Sequence, residues 1–260
     1  MKKVLIIGNE LHAARYIRSL LFIEEIELSI LSDINQISHY GKLYNIDEFN
    51  QTETQSSKIN KFDYIIYTVP NGFNKKNYEF LRNYEGYLLI EKPQLDMLLI
   101  KNMKCKTYFI HLRNFCDTLD NKVENKNYIY WPNLACDGMD GIVNTVPNVV
   151  DYLNGLYKHE KIKESNVYDI KKFSDYIQFR IKLDREFFIK IYNTKDKTKI
   201  PRINGRKIKW PNYFELINKF GEKIVKGDFS LLNTIEKEQF NINIIKKIRG
   251  EIDEYKEYEI

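Results

Sequence analysis

Apolar positions along this chain follow one spacing up to about residue 118 and another after it. In the first stretch, short continuous apolar runs alternate with segments of helical period. Lys3 to Ile7 is rich in branched residues and predicts a strand buried on both faces, as in a parallel sheet. His12 to Phe22 places Ala13, Tyr16, Ile17, Leu20 and Leu21 on one side of a helix. Glu27 to Leu31 predicts a second strand, ending at Ser32 and Asp33. Ile46 to Asn50 reads as a short helical or turn segment. Tyr64 to Tyr67 predicts a strand closed by Pro70 and Asn71, and Asn74 to Asn83 a helix carrying Tyr78, Phe80 and Leu81. Tyr87 to Ile90 predicts a strand followed at once by Glu91, Lys92 and Pro93, and Lys106 to His111 one more. This order of strands and helices predicts βαβ units and a doubly wound parallel sheet of the Rossmann type.

The second stretch has a different grammar. Asn121 to Tyr128 is polar and reads as a loop or edge. Ile142 to Leu156 predicts a helix with Pro147 near its start or at a kink. Tyr176 to Leu183 and Glu186 to Tyr192 alternate with period two, and Asp184-Arg185 between them suits a tight hairpin. Asn193 to Arg206 is polar and turn-rich. Asn212 to Lys226 and Thr234 to Arg249 read as amphipathic helices. The expected organisation is a Rossmann domain over residues 1–118 and a smaller α+β domain, with a mostly antiparallel open sheet, over 119–260.

Composition adds bounds. The chain has 260 residues, and 43% are apolar, enough for a sizeable core. The formal charge of +5 comes from scattered lysines interleaved with acids, without the basic stripe that a nucleic-acid partner needs. Cys105, Cys116 and Cys136 show no CxxC pair or metal-ligand spacing, which fits reduced thiols and no metal. The apolar run Val4 to Ile7 is too short for a signal peptide, and no run reaches spanning length. The expectation is a cytoplasmic protein that binds neither membrane nor nucleic acid.

Candidate chemistry starts at the first strand-to-helix turn, Gly8-Asn9-Glu10-Leu11-His12-Ala13. A dinucleotide fold places its first glycine here, with the pyrophosphate on the helix N-terminus. Ala13 serves as the third small residue, whereas Glu10 stands where a second glycine is usual. Asp33, at the end of the second strand, is placed to accept both ribose hydroxyls of an adenosine. It would repel a 2′-phosphate, and Ile34 and Asn35 supply no cation to hold one, so the reading is NAD rather than NADP.

The segments Asp63-Tyr-Ile-Ile-Tyr-Thr-Val-Pro-Asn71 and Tyr87-Leu-Leu-Ile-Glu-Lys-Pro93 together resemble the Gfo/Idh/MocA family of sugar oxidoreductases. Its members carry a strand ending in a T-P-N type turn, a helix, then a strand ending in E-K-P. The resemblance extends to the glycine turn, to Asp33, to Tyr44–Phe49 as the family's short helix, and to Tyr213–Ile260 as its closing helices. It implies a cofactor floor made of Gly8, Asn9, Glu10, Leu11, Asp33, Thr68, Val69, Pro70, Asn71, Glu91 and Lys92. It also implies that Lys92 lies beside the nicotinamide and the reacting carbon, where an ammonium can hold developing oxyanion charge.

The family's second motif carries a catalytic Asp, a His four residues on and a further Asp. Asn144-Thr-Val-Pro-Asn-Val-Val-Asp151 aligns with it. Asp151 is kept, but Asn144 and Asn148 replace the acid–base pair, and an amide cannot transfer a proton near neutral pH. Lys92 alone, or His111 or Tyr108 in support, are the alternatives. His111 and Arg113, in a segment resembling the family's strand end at the active site, are substrate-contact candidates with Asp151. The C-terminal half is shorter than the family norm, so the pocket is either more open or completed by a partner subunit. The family's open sheet often forms a dimer interface, which implies a homo-oligomer.

Three functions remain in view. The first is an NAD(P)-dependent oxidoreductase acting on a sugar or nucleotide sugar, as in surface-polysaccharide synthesis. The second is a non-catalytic dinucleotide- or nucleotide-sugar-binding regulator or subunit. The third is an imine reductase, which needs only one acid.

Overall fold

The computed structural model describes residues 1–8, 10–31, 43–44, 46–49, 56–69, 73, 75–91, 97–115, 123–133, 138–156, 166–196, 198–208 and 212–254. Two compact units emerge: Met1–Cys116 with Pro211–Glu238, and Asp117–Trp210 with Gln239–Ile260.

The first unit is built on a parallel sheet. Among the described residues its strands are β1 (Lys2–Ile7), β2 (Ile26–Leu31), β3 (Asp47–Phe49), β4 (Tyr64–Tyr67), β5 (Tyr87–Glu91) and β6 (Lys106–Ile110). They lie in the order β3-β2-β1-β4-β5-β6. This is the Rossmann order, in which the direction of winding reverses between β1 and β4. The branched and aromatic runs explain the central strands, since all of Val4–Ile7, Tyr64–Tyr67 and Leu88–Ile90 are buried. Helices α1 (Glu10–Leu20), α2 (Ser56–Ile59), α3 (Lys75–Leu81) and α4 (Leu98–Lys101) accompany these strands.

Asp47–Phe49 corrects the helical or turn reading of Ile46 to Asn50. This segment pairs in parallel with Ser29, Ile30 and Leu31, so a ladder on the sheet edge overrides weak local preference. Among the described residues just before it, Leu43 and Tyr44 are helical.

Helix α5 (Tyr213–Val225), from far along the chain, packs on α1 in this same unit. Asn212 caps it by accepting the Phe214 N–H at 3.0 Å. Phe220 meets Tyr16 edge to face at 6.0 Å. A Cβ at Gly221 would lie 2.3 Å from Ile23 Cδ1 and 2.6 Å from Leu20 Cδ2, so glycine permits this close approach. The Tyr64 hydroxyl donates to the Ile224 carbonyl at 2.8 Å, and Phe229 stacks on Tyr87 and Tyr108 at 4.6 and 5.0 Å. The return segment is therefore sewn to β4, β5 and β6.

The second unit is built on a mixed sheet. Its described strands are β7 (Lys126–Asn133), β8 (Val167–Lys172), β9 (Tyr176–Lys182), β10 (Glu186–Asn193), β11 (Arg202–Ile203) and β12 (Arg206–Lys207), in the order β12-β11-β7-β10-β9-β8. Only the β7–β10 pair is parallel, which makes the sheet mostly antiparallel. Helix α6 (Gly138–Leu156) packs on β7, β9 and β10. One sheet face is thereby covered. Ile129, Trp131, Ile177, Phe179, Ile189 and Ile191 are buried, while Tyr128 and Tyr130 are exposed.

Three expectations need correction here. Lys126 to Tyr128, the end of the stretch expected to be a loop or edge, opens the interior strand β7, while residues 123–125 before it are in neither strand nor helix. Its buried Asn127 satisfies itself locally, donating to the Glu124 carbonyl at 2.7 Å and accepting from Glu124 N–H and Asn204 Nδ2. The β9–β10 loop spans Leu183 to Arg185, one residue longer than the expected turn, because Lys182 pairs with Glu186. Pro147 sits well inside α6, as the tenth residue of a helix that starts at Gly138. The lost N–H costs one hydrogen bond, which the packing of Val146, Val149, Val150 and Leu153 offsets. Helix α7 (Ile235–Glu254) closes the described chain. Among the described residues no helix is long and apolar enough to cross a membrane.

Candidate functional site

The carboxyl ends of β1, β4 and β5 are in continuous register. Ile7 pairs with Tyr67 and Tyr67 with Ile90, so Gly8, Thr68 and Glu91 stand abreast at the edge where the winding reverses. Ligands of open parallel sheets bind at this switch point. The turn is tight. The Thr68 N–H donates to the Ile7 carbonyl at 2.7 Å, and the Thr68 hydroxyl lies 3.4 Å from the same oxygen. A Cβ on Gly8 would fall 1.7 Å from Thr68 Oγ1 and 3.2 Å from Ala13 Cβ. Glycine is thus demanded by the packing of the β1–α1 turn on the end of β4. Thr68 itself is fully buried, which makes it a support under the turn. Val69 beyond it is half-buried.

Helix α1 begins at Glu10, so the first-turn N–H groups open directly after the glycine turn. Within that first turn, His12 Nδ1 approaches Glu91 Oε2 at 3.3 Å. His12 is about one-third exposed at 31% and Glu91 nearly covered at 12%, so the pair borders the cleft. Tyr16 follows on the same helical face and is buried, its hydroxyl without a hydrogen-bond partner. Burial, and after it the Glu91 carboxylate, raise that hydroxyl well above the ordinary tyrosine range. It stays a neutral donor at any working pH.

An unpaired buried hydroxyl costs about 1–3 kcal/mol. Tyr16→Phe is therefore expected to keep the fold and raise the melting temperature by roughly 2–4 °C for each kcal/mol recovered. A drop of several degrees in differential scanning calorimetry would show that the hydroxyl has an acceptor after all.

The remaining candidates fall elsewhere. His111, one residue past β6, is 2% exposed, and its Nε2 lies 2.6 Å from Glu238 Oε2. Glu238 is equally buried and also lies 3.4 Å from Asn233 Nδ2. Asn233 in turn forms a two-bond bridge with Phe109, at 2.8 and 3.0 Å. The imidazole expected to touch substrate is turned inward to pin the return segment to β6. Arg113 lies in the 3-10 turn Leu112–Phe115.

In the second unit, Asn144, Asn148 and Asp151 share one face of α6, spaced i, i+4 and i+7. Asn148 is half-exposed, whereas Asp151 is 1% exposed. Beside them Thr145 donates to Asn133 Oδ1 at 3.2 Å, and Asn133 Nδ2 to Asn193 Oδ1 at 2.8 Å. This polar line anchors α6 to the ends of β7 and β10. Asn9, Asp33, Pro70, Asn71 and Lys92 lie outside the described residues, as do the side chains of Glu10, Leu11, Arg113 and Asn144. No cluster of three or more His, Cys, Asp and Glu among the described residues is placed to hold a metal ion.

His12 and Tyr16 were passed over in the sequence. The signal was available: both follow Gly8 at helical spacing on the first helix after the glycine turn, and Glu91 ends the strand that carries E-K-P.

No family model matches the chain, and no curated protein sequence does. Solved structures do. A Gfo/Idh/MocA family oxidoreductase from Vibrio cholerae superposes with a TM-score of 0.70 at 8% identity, covering 98% of this chain and 99% of that one. A dehydrogenase from Clostridium difficile gives 0.67 at 12% identity, over 97% and 99% of the two chains. A scyllo-inositol dehydrogenase from Lactobacillus casei gives 0.63 at 13% identity, over 95% and 94%. The chain has the two-unit α/β fold of Gfo/Idh/MocA oxidoreductases over nearly its whole length.

Proposed function

We propose that this chain is a Gfo/Idh/MocA-type oxidoreductase that takes NAD and acts on a carbinol or carbonyl carbon of a sugar or nucleotide sugar. The observation that carries the reading is the set Gly8, Thr68 and Glu91, abreast at the switch point of a Rossmann-ordered sheet, with His12 reaching across to Glu91. The first-turn N–H groups of α1 suit a pyrophosphate, and Asp33 suits the adenosine ribose. When bound, the nicotinamide supplies the hydride acceptor or donor.

The chain's own residues do the rest. Lys92, next after Glu91, holds the charge that develops on the substrate oxygen. His12 acts as a positioning residue: its hydrogen bond fixes the Glu91 carboxylate, and with it the strand end from which Lys92 continues. Asn148, half-exposed on α6, offers a hydrogen bond to a sugar hydroxyl, with Asn144 one turn before it in the helix. The same reading includes a homo-oligomer as the assembled form.

The test is a screen of sugars and nucleotide sugars, following cofactor absorbance. Lys92→Ala is expected to lower turnover of any substrate found by at least 100-fold, or about 2.7 kcal/mol of transition-state stabilisation, while leaving NADH affinity within a few-fold. Turnover that survives the substitution would remove Lys92 from the chemistry.

A second reading, a dinucleotide-binding subunit without activity, is favoured by Asn144 and Asn148, which cannot relay a proton. A substrate turned over by the wild-type chain and lost with Lys92→Ala would exclude it.

A further inference from the structure

The uncovered face of the β7–β10 sheet changes character along its length. At one end Arg180 is compensated, with Nε 2.8 Å from Asp169 Oδ2 and Nη1 3.7 Å from Glu186 Oε1. Its guanidinium also lies 4.5 Å from the centroid of Phe188, which stacks on Tyr128 at 4.9 Å. Toward the β11–β12 hairpin the balance is lost. There a groove of about 650 Å³ holds Lys190, Lys199, Arg202 and Lys207 between the rings of Tyr130 and Tyr192. Among the described residues no carboxylate lines it. The nearest, Asp196, is engaged by Thr198 through its N–H at 2.9 Å and its hydroxyl at 2.6 Å, and reaches Lys199 only at 3.8 Å.

The register explains why these cations converge. Lys190 pairs with Tyr130 across β10–β7, Tyr130 with Arg202 across β7–β11, and Arg202 with Lys207 across β11–β12. Directly opposed residues point to the same face, so the row runs across four adjacent strands. The hairpin that ends it is rigid, because Asn204 and Gly205 have φ of 50° and 76°, the pair of positive values that a two-residue strand turn demands. Asp196 offsets part of the Lys199 charge and the Lys190 ammonium lies 3.6 Å from the centroid of Tyr176, yet the groove stays net positive, and a multiply charged anion relieves the repulsion among like charges held in one concavity.

We propose that this groove is a binding site for a small molecule carrying two or more linked phosphate groups. Its volume falls in the range of small-ligand pockets. Arg202 offers the planar fork that binds phosphate oxygens in pairs, and the lysines add point charges. Tyr130, 45% exposed, offers a flat face to a ring attached to the phosphates. The Tyr192 hydroxyl, raised above its ordinary value chiefly by burial, remains a neutral donor to an anion. The groove lies wholly in the second unit, and the proposal goes beyond the dinucleotide reading.

The probe is inorganic tripolyphosphate, titrated calorimetrically into the full chain at low ionic strength with NADH present in excess. One-to-one binding is expected. It should weaken at least tenfold in Arg202→Ala/Lys207→Ala and further in Lys190→Gln added to that pair, but not in the charge-matched control Lys61→Ala/Lys101→Ala. These cations except Lys190 are exposed, and circular dichroism checks that the fold persists. Absence of binding would overturn the proposal, as would equal loss in the control. So would a change in sedimentation of the Arg202/Lys207 variant without a change in affinity, which would make the face a contact between copies. The dinucleotide reading fails separately, by absence of NADH binding, and leaves the Arg202/Lys207 comparison intact.

Discussion

Glu238→Ala is expected to destabilise the first unit by about 1–3 kcal/mol, the cost of removing one partner from a buried hydrogen bond. His111 and Glu238 are each 2% exposed and 2.6 Å apart. Removing the carboxylate takes its 2.6 Å contact from the imidazole, and with it the Asn233 contact that accompanies the bridge to Phe109. His111→Ala should cost a similar amount. The double variant should cost clearly less than the sum, since each single change already breaks the same interaction. Replacing both by leucine should recover most of the loss. Urea unfolding followed by far-ultraviolet circular dichroism measures all four. NADH affinity is the companion readout: the structure ties His111 to stability, so affinity in the folded variants should move little. A His111 variant of full stability would place this side chain back among the substrate-contact candidates.

Gly8→Val is expected to weaken dinucleotide binding by more than 100-fold and to cost about 1–3 kcal/mol of stability, the usual price of overpacking. The reason is geometric. With 1.7 Å between the new Cβ and Thr68 Oγ1, either the end of β4 or the start of α1 must move by more than an ångström. Such a shift misplaces the first-turn N–H groups. The smaller Gly8→Ala should be partly rescued by Thr68→Ala, which removes the hydroxyl and leaves Thr68 Cβ at 3.1 Å. Equal affinity for Gly8→Ala with and without that second change would show that Thr68 does not set the turn.

These two sites show where the sequence was readable. Strands β1, β4, β5 and β6 announced themselves as unbroken apolar runs, because a strand buried on both faces tolerates little else. The glycine turn was legible for its place between strand and helix, although the demand for glycine comes from Thr68, 60 positions away. Asp47–Phe49 was not legible, since a three-residue polar strand on a sheet edge owes its conformation to its neighbour. Strand β7 was hidden by Asn127, a buried polar residue where alternation calls for an apolar one. Strand β8 was hidden by its irregularity: Asp169 has φ of 51° and the register slips between Tyr168 and Lys171. Asn204-Gly205 is a recognisable hairpin signal, here lost in a stretch read only as polar.

Partnerships across long separations were the least legible. The period of Tyr213–Val225 gives an amphipathic helix, but nothing in it says that its apolar face meets α1 more than 190 positions earlier. For the same reason His111 looked like a strand-end contact, because its partner Glu238 stands 127 residues on.

The central claim is that the β1–β4 switch point holds a nicotinamide dinucleotide. Calorimetric titration of NADH, and separately NADPH, into the full chain tests it most directly. The account expects one NADH per chain, tighter than NADPH because Asp33 opposes a 2′-phosphate, with binding lost in Gly8→Val. Binding of neither dinucleotide to a folded chain would contradict it.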